Sequence, residues 1–104
     1  MMNLQDINMA HVMLNQSLLG VISSNFRMVA ASFSDHKWKT RFWLEKEDVD
    51  DLEEINDAMI TLDILTLDIE KAPLKIEFDT EICIGMLPSL DRSVWRILFL
   101  RREL

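Results

Sequence analysis

Eight of the thirteen residues in the stretch EKEDVDDLEEIND, from Glu45 to Asp57, are acidic, and only Lys46 opposes them. Carboxylates at this density could ligate a metal ion, open a solvated helix, or present a surface to something positively charged. The spacing is poor for metal. Asp50 and Glu54 form an i,i+4 pair with Asp57 one further turn on, but the alternating oxygen ligands around a central glycine that a calcium loop needs are missing. A helix start explains part of the cluster, because a carboxylate in the first turn gains about 0.3–1 kcal/mol from the macrodipole. Beyond that turn the charges only repel one another. A cationic partner would relieve the repulsion, speed encounter and reject wrong partners. Glu47, Asp48, Asp50, Asp51, Glu53, Glu54 and Asp57 are therefore the expected binding carboxylates.

The other reactive side chains form no machinery. Seven serines offer hydroxyls, but G-x-S-x-G is absent. His11 sits one turn from Ile7 and Leu14 and reads as a residue flanking the core; His36 lies in a turn. Two isolated glycines cannot build a phosphate-cradling loop. The single cysteine, Cys83, excludes an intramolecular disulfide, and its neighbours Ile82 and Ile84 mark it as a small apolar residue rather than a nucleophile. The expectation is a chain that is not an enzyme, with no catalytic residue, no cofactor and no metal.

Composition narrows the partners. The chain has 104 residues, half of them apolar, as one soluble domain over 1–104 would. A net charge of −7 argues against direct binding of nucleic acid or an anionic membrane and fits a basic protein. The opening MMNLQDINMAHVML lacks the basic start and unbroken apolar run of a signal peptide, and no stretch is long and apolar enough to span a bilayer. A cytoplasmic protein is expected.

Hydrophobic spacing supplies the elements. Ile7, Ala10, Leu14, Leu18 and Val21 recur every three or four residues, predicting a helix over about Leu4–Val21 that Gly20 can end in the left-handed conformation. Phe26 to Ser34 predicts a strand with Arg27, Val29, Ala31 and Phe33 on one side. After a turn at Ser34–Lys37, Trp38, Thr40, Phe42 and Leu44 alternate with Lys39, Arg41, Trp43 and Glu45. Val49, Leu52, Ile55, Met59 and Leu62 predict a second helix over about Asp48–Leu65, with the acids off its apolar face. Leu74 to Ile82 alternates cleanly as a third strand, Gly85–Arg92 reads as a loop, and Ser93–Leu100 as a fourth strand. The fold class is α+β, a two-layer sandwich of order α-β-β-α-β-β. Both helices cover one face of a four-stranded sheet, and the connection through the second helix is long enough for a parallel crossover, which should then be right-handed. Trp43 then falls on the uncovered face, which makes it a candidate apolar anchor for a partner. A homodimer through the sheet is the alternative use of that face.

Two stretches carry a family likeness. Leu14-Asn15-Gln16-Ser17-Leu18-Leu19-Gly20 followed by Ser23-Ser24-Asn25-Phe26-Arg27-Met28-Val29, and a close of Val94-Trp95 with Arg101-Arg102-Glu103, resemble the immunity proteins of bacterial polymorphic toxin and contact-dependent growth inhibition systems. Asn25, Met28 and Trp95 depart from that pattern, which has Pro, Ala and Tyr there. The resemblance implies an inert protein that caps a toxin's active site or an adjacent surface. Its partner would be a cognate toxin C-terminal domain, a basic nuclease being the first expectation because a nuclease cleft must grip phosphates. The rival readings are an acidic nucleic-acid mimic and, behind it, a small metal-dependent enzyme.

Overall fold

The computed structural model describes residues 3–67 and 75–103. Helix α1 spans Leu4–Ser17, strand β1 Phe26–Phe33, β2 Lys37–Leu44, helix α2 Val49–Leu65, β3 Lys75–Ile82 and β4 Arg96–Leu100. The sheet order is β3-β2-β1-β4; β1 pairs antiparallel with β2 and β4, and β2 pairs parallel with β3. The parallel pair is possible because α2 carries the chain back along the sheet between them. This is the α-β-β-α-β-β sandwich the spacing predicts.

Local chemistry fixes the element ends. Asn3 caps α1: its Oδ1 accepts the Asp6 N–H at 2.8 Å while Asp6 reaches back to the Asn3 N–H. The helix stops at Ser17, earlier than Val21, and Gly20 takes φ +79° in the turn that follows. In the hairpin Ser34 accepts the Lys37 N–H and donates to the Lys37 carbonyl. Asp48 caps α2 by accepting the Asp51 N–H at 3.1 Å.

One core lies between sheet and helices. Ala10, Leu14 and Leu18 from the first helix and its turn, and Ile55, Ala58, Met59 and Leu62 from α2, pack on Phe26, Val29, Ala31, Trp38, Phe42 and Leu44. Phe26 and Phe42 meet edge to face at 6.1 Å. A second, smaller core occupies the other face of the sheet. Met28, Ala30 and Trp43 are covered there by Cys83, Leu87, Leu90, Trp95 and Ile97. The loop of 83–95 is thus a strap lying across the outer face, and the expectation that this face is bare does not hold.

Two bulges break the simple alternation. The β1–β2 register shifts between Phe26 and Met28, so Phe26 and Val29 share the helix side while Arg27 turns to the strap side, opposite to where alternation puts it. Had Arg27 faced the helices, its five donors would have been buried among apolar side chains. On the strap side its Nη1 donates to the carbonyls of Cys83 (2.7 Å) and Gly85 (2.6 Å), and its Nε and Nη2 grip both oxygens of Glu103 at 2.7 Å. In β4 the shift between Val29 and Ala30 makes Leu98 the extra residue. Leu98 and Phe99 both pack on the main core, while Trp95 and Ile97 stay on the strap side. Asp91–Val94 is a turn held by Asp91, so β4 starts at Arg96 rather than Ser93.

Candidate functional site

Helix α2 begins after Leu44, and its amphipathic spacing decides where each acid goes. Glu47, Asp50, Glu53, Glu54 and Asp57 are exposed. Among the described residues none of these five carboxylates forms a salt bridge. Asp48 is half-buried and spent on the cap. Asp51 is only 8% exposed. Its Oδ2 accepts from Asn25 Nδ2 at 2.9 Å, and the same Asn25 side chain exchanges two bonds with the Lys46 backbone, 2.8 Å to its carbonyl and 3.0 Å from its N–H. Asn25 thus pins the start of α2 to the start of β1. Asp51 belongs to that joint, and the expected row of seven carboxylates divides into five that face solvent and two that build the helix start.

The charge of this segment equals that of the whole chain. Glu45–Asp57 holds eight acids and one lysine, a net −7. Removing those eight from eighteen acids, and that one from eleven cations, leaves ten of each elsewhere. Several charges outside the segment are paired. Arg41 forks onto Asp79 at 2.8 and 3.0 Å, Lys37 and Lys75 meet Glu77, and Arg101 lies between Glu45 and Glu103. These contacts shift the acids in the expected sense. Hydrogen bonding to Arg27 first, and to Arg101 as well, holds the Glu103 carboxyl down at about 2, and the Arg41 fork lowers Asp79.

Trp43 does not serve as an exposed anchor. It is 1% exposed, beneath the strap, with the Arg41 guanidinium 5.9 Å from its ring. Exposed apolar groups lie elsewhere, three of them in a row along α2 and the turn just past it. Ile60, Ile64 and Leu67 are 53%, 61% and 76% exposed at spacings of four and three. They continue, one turn after another, the side of the helix that carries Asp50, Glu53 and Asp57. The outward side of α2 therefore changes from acidic over its first two turns to apolar over its last two. Sequence reasoning passed over these residues because Met59 and Leu62 satisfied the core stripe; the signal was a second apolar row beside it.

The remaining chemistry is sparse. His11 is half-buried, its Nδ1 without a partner among the described residues, and desolvation followed by the nearby Arg96 charge lowers its pKa. His36 is an exposed turn residue whose carbonyl accepts the Lys75 N–H. Cys83 is half-buried on the strap-side core. Among the described residues no three His, Cys, Asp or Glu side chains are gathered as a metal ion would require, and no helix is long and apolar enough to cross a membrane.

No curated protein matches the chain. A family model does, over residues 8–103, which takes in both the Leu14–Val29 stretch and the Arg27–Glu103 clamp at its far end. By that match, across nearly its full length, the chain belongs to the MafI2 immunity protein family.

Proposed function

We propose that this immunity protein neutralises a nuclease toxin domain by binding it one to one in the cytoplasm, performing no chemistry itself. The acidic opening of α2 is the surface that meets the toxin, with Glu47, Asp50, Glu53, Glu54 and Asp57 as the contacting carboxylates. Asp48 and Asp51 hold the helix start in place behind them. One observation carries the reading: the entire net charge of the chain resides in thirteen residues, and five of its carboxylates face solvent with no salt bridge among the described residues. A nuclease cleft is lined with cations that grip phosphates, so such a patch complements it and raises the encounter rate.

The test is a fourfold reversal, Asp50, Glu53, Glu54 and Asp57 each to Lys. Stopped-flow association with the toxin domain should slow by about tenfold or more at low salt, and the two proteins' rates should converge as salt rises. An association rate that is the same for both proteins at low salt would remove α2 from the interface.

A further inference from the structure

Helix α2 carries two rows of side chains on opposite sides. Asp51, Ile55, Ala58, Met59 and Leu62 form the buried row. Asp50, Glu53, Asp57, Ile60 and Ile64, with Leu67 in the turn just past the helix, are all exposed and follow one another at alternating spacings of three and four. At about 100° per residue this second row points directly away from the first. It runs about 21 Å from Asp50 to Ile64 at 1.5 Å per residue, and its 3-4 spacing is that of a seam packed against a neighbour.

The fold does not call for the apolar half of this row. Ile60, Ile64 and Leu67 are each more than half exposed and belong to neither core. The β-branched isoleucines also form helix less readily than the Glu, Gln or Lys that suit an outward position. The acidic half narrows what covers it. Glu53 and Asp57 lie past the first turn, where the helix dipole contributes little. None of Asp50, Glu53 and Asp57 forms a salt bridge among the described residues. A matching surface must therefore bring cations to one end and apolar groups to the other. A second copy of the chain cannot match both halves. Two such rows laid parallel set acid against acid. Laid antiparallel in full overlap, they set carboxylates over isoleucines with no counter-charge. Slid until only the apolar ends meet, they leave all the acids unmatched.

We propose that the outward row of α2 is one continuous docking seam for the toxin domain, whose facing surface is cationic opposite Asp50, Glu53 and Asp57 and apolar opposite Ile60, Ile64 and Leu67. The seam rests on the immunity reading above and deepens it by assigning the two halves different tasks. The exposed carboxylates steer encounter and set the association rate. The apolar turns lose their water in the complex and set its residence time. They supply the apolar anchor that Trp43, buried beneath the strap, does not.

Ile60→Gln combined with Ile64→Gln tests the seam against the domain encoded by the reading frame immediately upstream. Glutamine is the better helix former, so the melting temperature should not fall. The double variant should associate at the parent's rate at low salt and dissociate about tenfold or more faster. Val12→Gln replaces a comparably exposed apolar side chain on α1 and should leave both rates unchanged. A double variant that dissociates at the parent's rate overturns the seam, as does a Val12 variant that dissociates as fast as the double variant. If reversing the acids still slows association, the immunity reading then stands without the seam. If the domain neither binds nor is neutralised, both fall. Sedimentation of the chain alone covers the other occupant: a parent dimer that the double variant breaks assigns the row to a second copy and overturns the proposal.

Discussion

Replacing Trp43 separates a buried structural role from a contact role. The indole is 1% exposed, packed with Met28 and Ala30 beneath Leu87, Leu90 and Trp95. A tryptophan buries on the order of 200 Å², which at about 25 cal/mol per Å² gives an upper bound near 5 kcal/mol. Trp→Ala in a core costs roughly 3–5 kcal/mol once the cavity is included. Trp43→Ala should therefore lose about 3–5 kcal/mol in urea denaturation, and at least about 12 °C in melting temperature for a domain of this size. Trp43→Phe should behave differently. It keeps much of the apolar area and removes the Nε1–H, which has no acceptor among the described residues. Relief of that group is worth about 1–3 kcal/mol, against the lost area and the weak Arg41 contact. The Phe variant should sit within about 1.5 kcal/mol of the parent. Two results would refute the reasoning: an Ala variant that loses less than about 1 kcal/mol, or a Phe variant as unstable as Ala. The first would mean that the strap does not cover the sheet, the second that the indole N–H is bonded.

Asn25→Ala strands the Lys46 backbone groups and leaves the 8%-exposed Asp51 carboxylate without its donor. It should cost about 2–4 kcal/mol by chemical denaturation, whereas Asp50→Asn on the exposed side should stay within about 0.5 kcal/mol. Glu103 titrates near 2 in the fold, below its ordinary value of 4.5. A depressed carboxyl adds stability that is present above 4.5 and disappears as pH falls from there toward 2. Melting temperature should therefore decline less steeply across that window in Glu103→Gln than in the parent; parallel curves would show that the Arg27 clamp is open in solution.

Element order and type were legible because period does most of the work. α1, the hairpin, α2 and β3 each show one clean repeat, and apart from the early end of α1 their bounds lie close to expectation, Leu74 at the expected start of β3 lying outside the described residues. What escaped were features set by residues far apart in sequence. The strap covers Trp43 through Leu87 and Leu90, which have no period, so nothing in 85–92 marks it as more than a loop. The bulge at Arg27 is dictated by Glu103, seventy-six positions on. An arginine in the apolar run Phe26–Phe33 was the available warning, since such a side chain needs a partner and a route to it. In the acidic cluster, helical spacing sorted the exposed carboxylates correctly. Asp51 could not be sorted that way, because its burial comes from Asn25, twenty-six residues earlier.

Two populations of charge in the chain thus have different jobs. Arg27, Arg41 and Arg101 are committed to carboxylates and carbonyls of the fold; removing one leaves its partners unpaired, so each is felt as stability. The five solvent-facing acids opening α2 bond to nothing within the described fold, and reversing them costs the fold little. Ile60, Ile64 and Leu67 share that indifference, since exposed side chains contribute little to the core. A partner-binding surface can therefore change residue by residue while the sandwich beneath it keeps its stability.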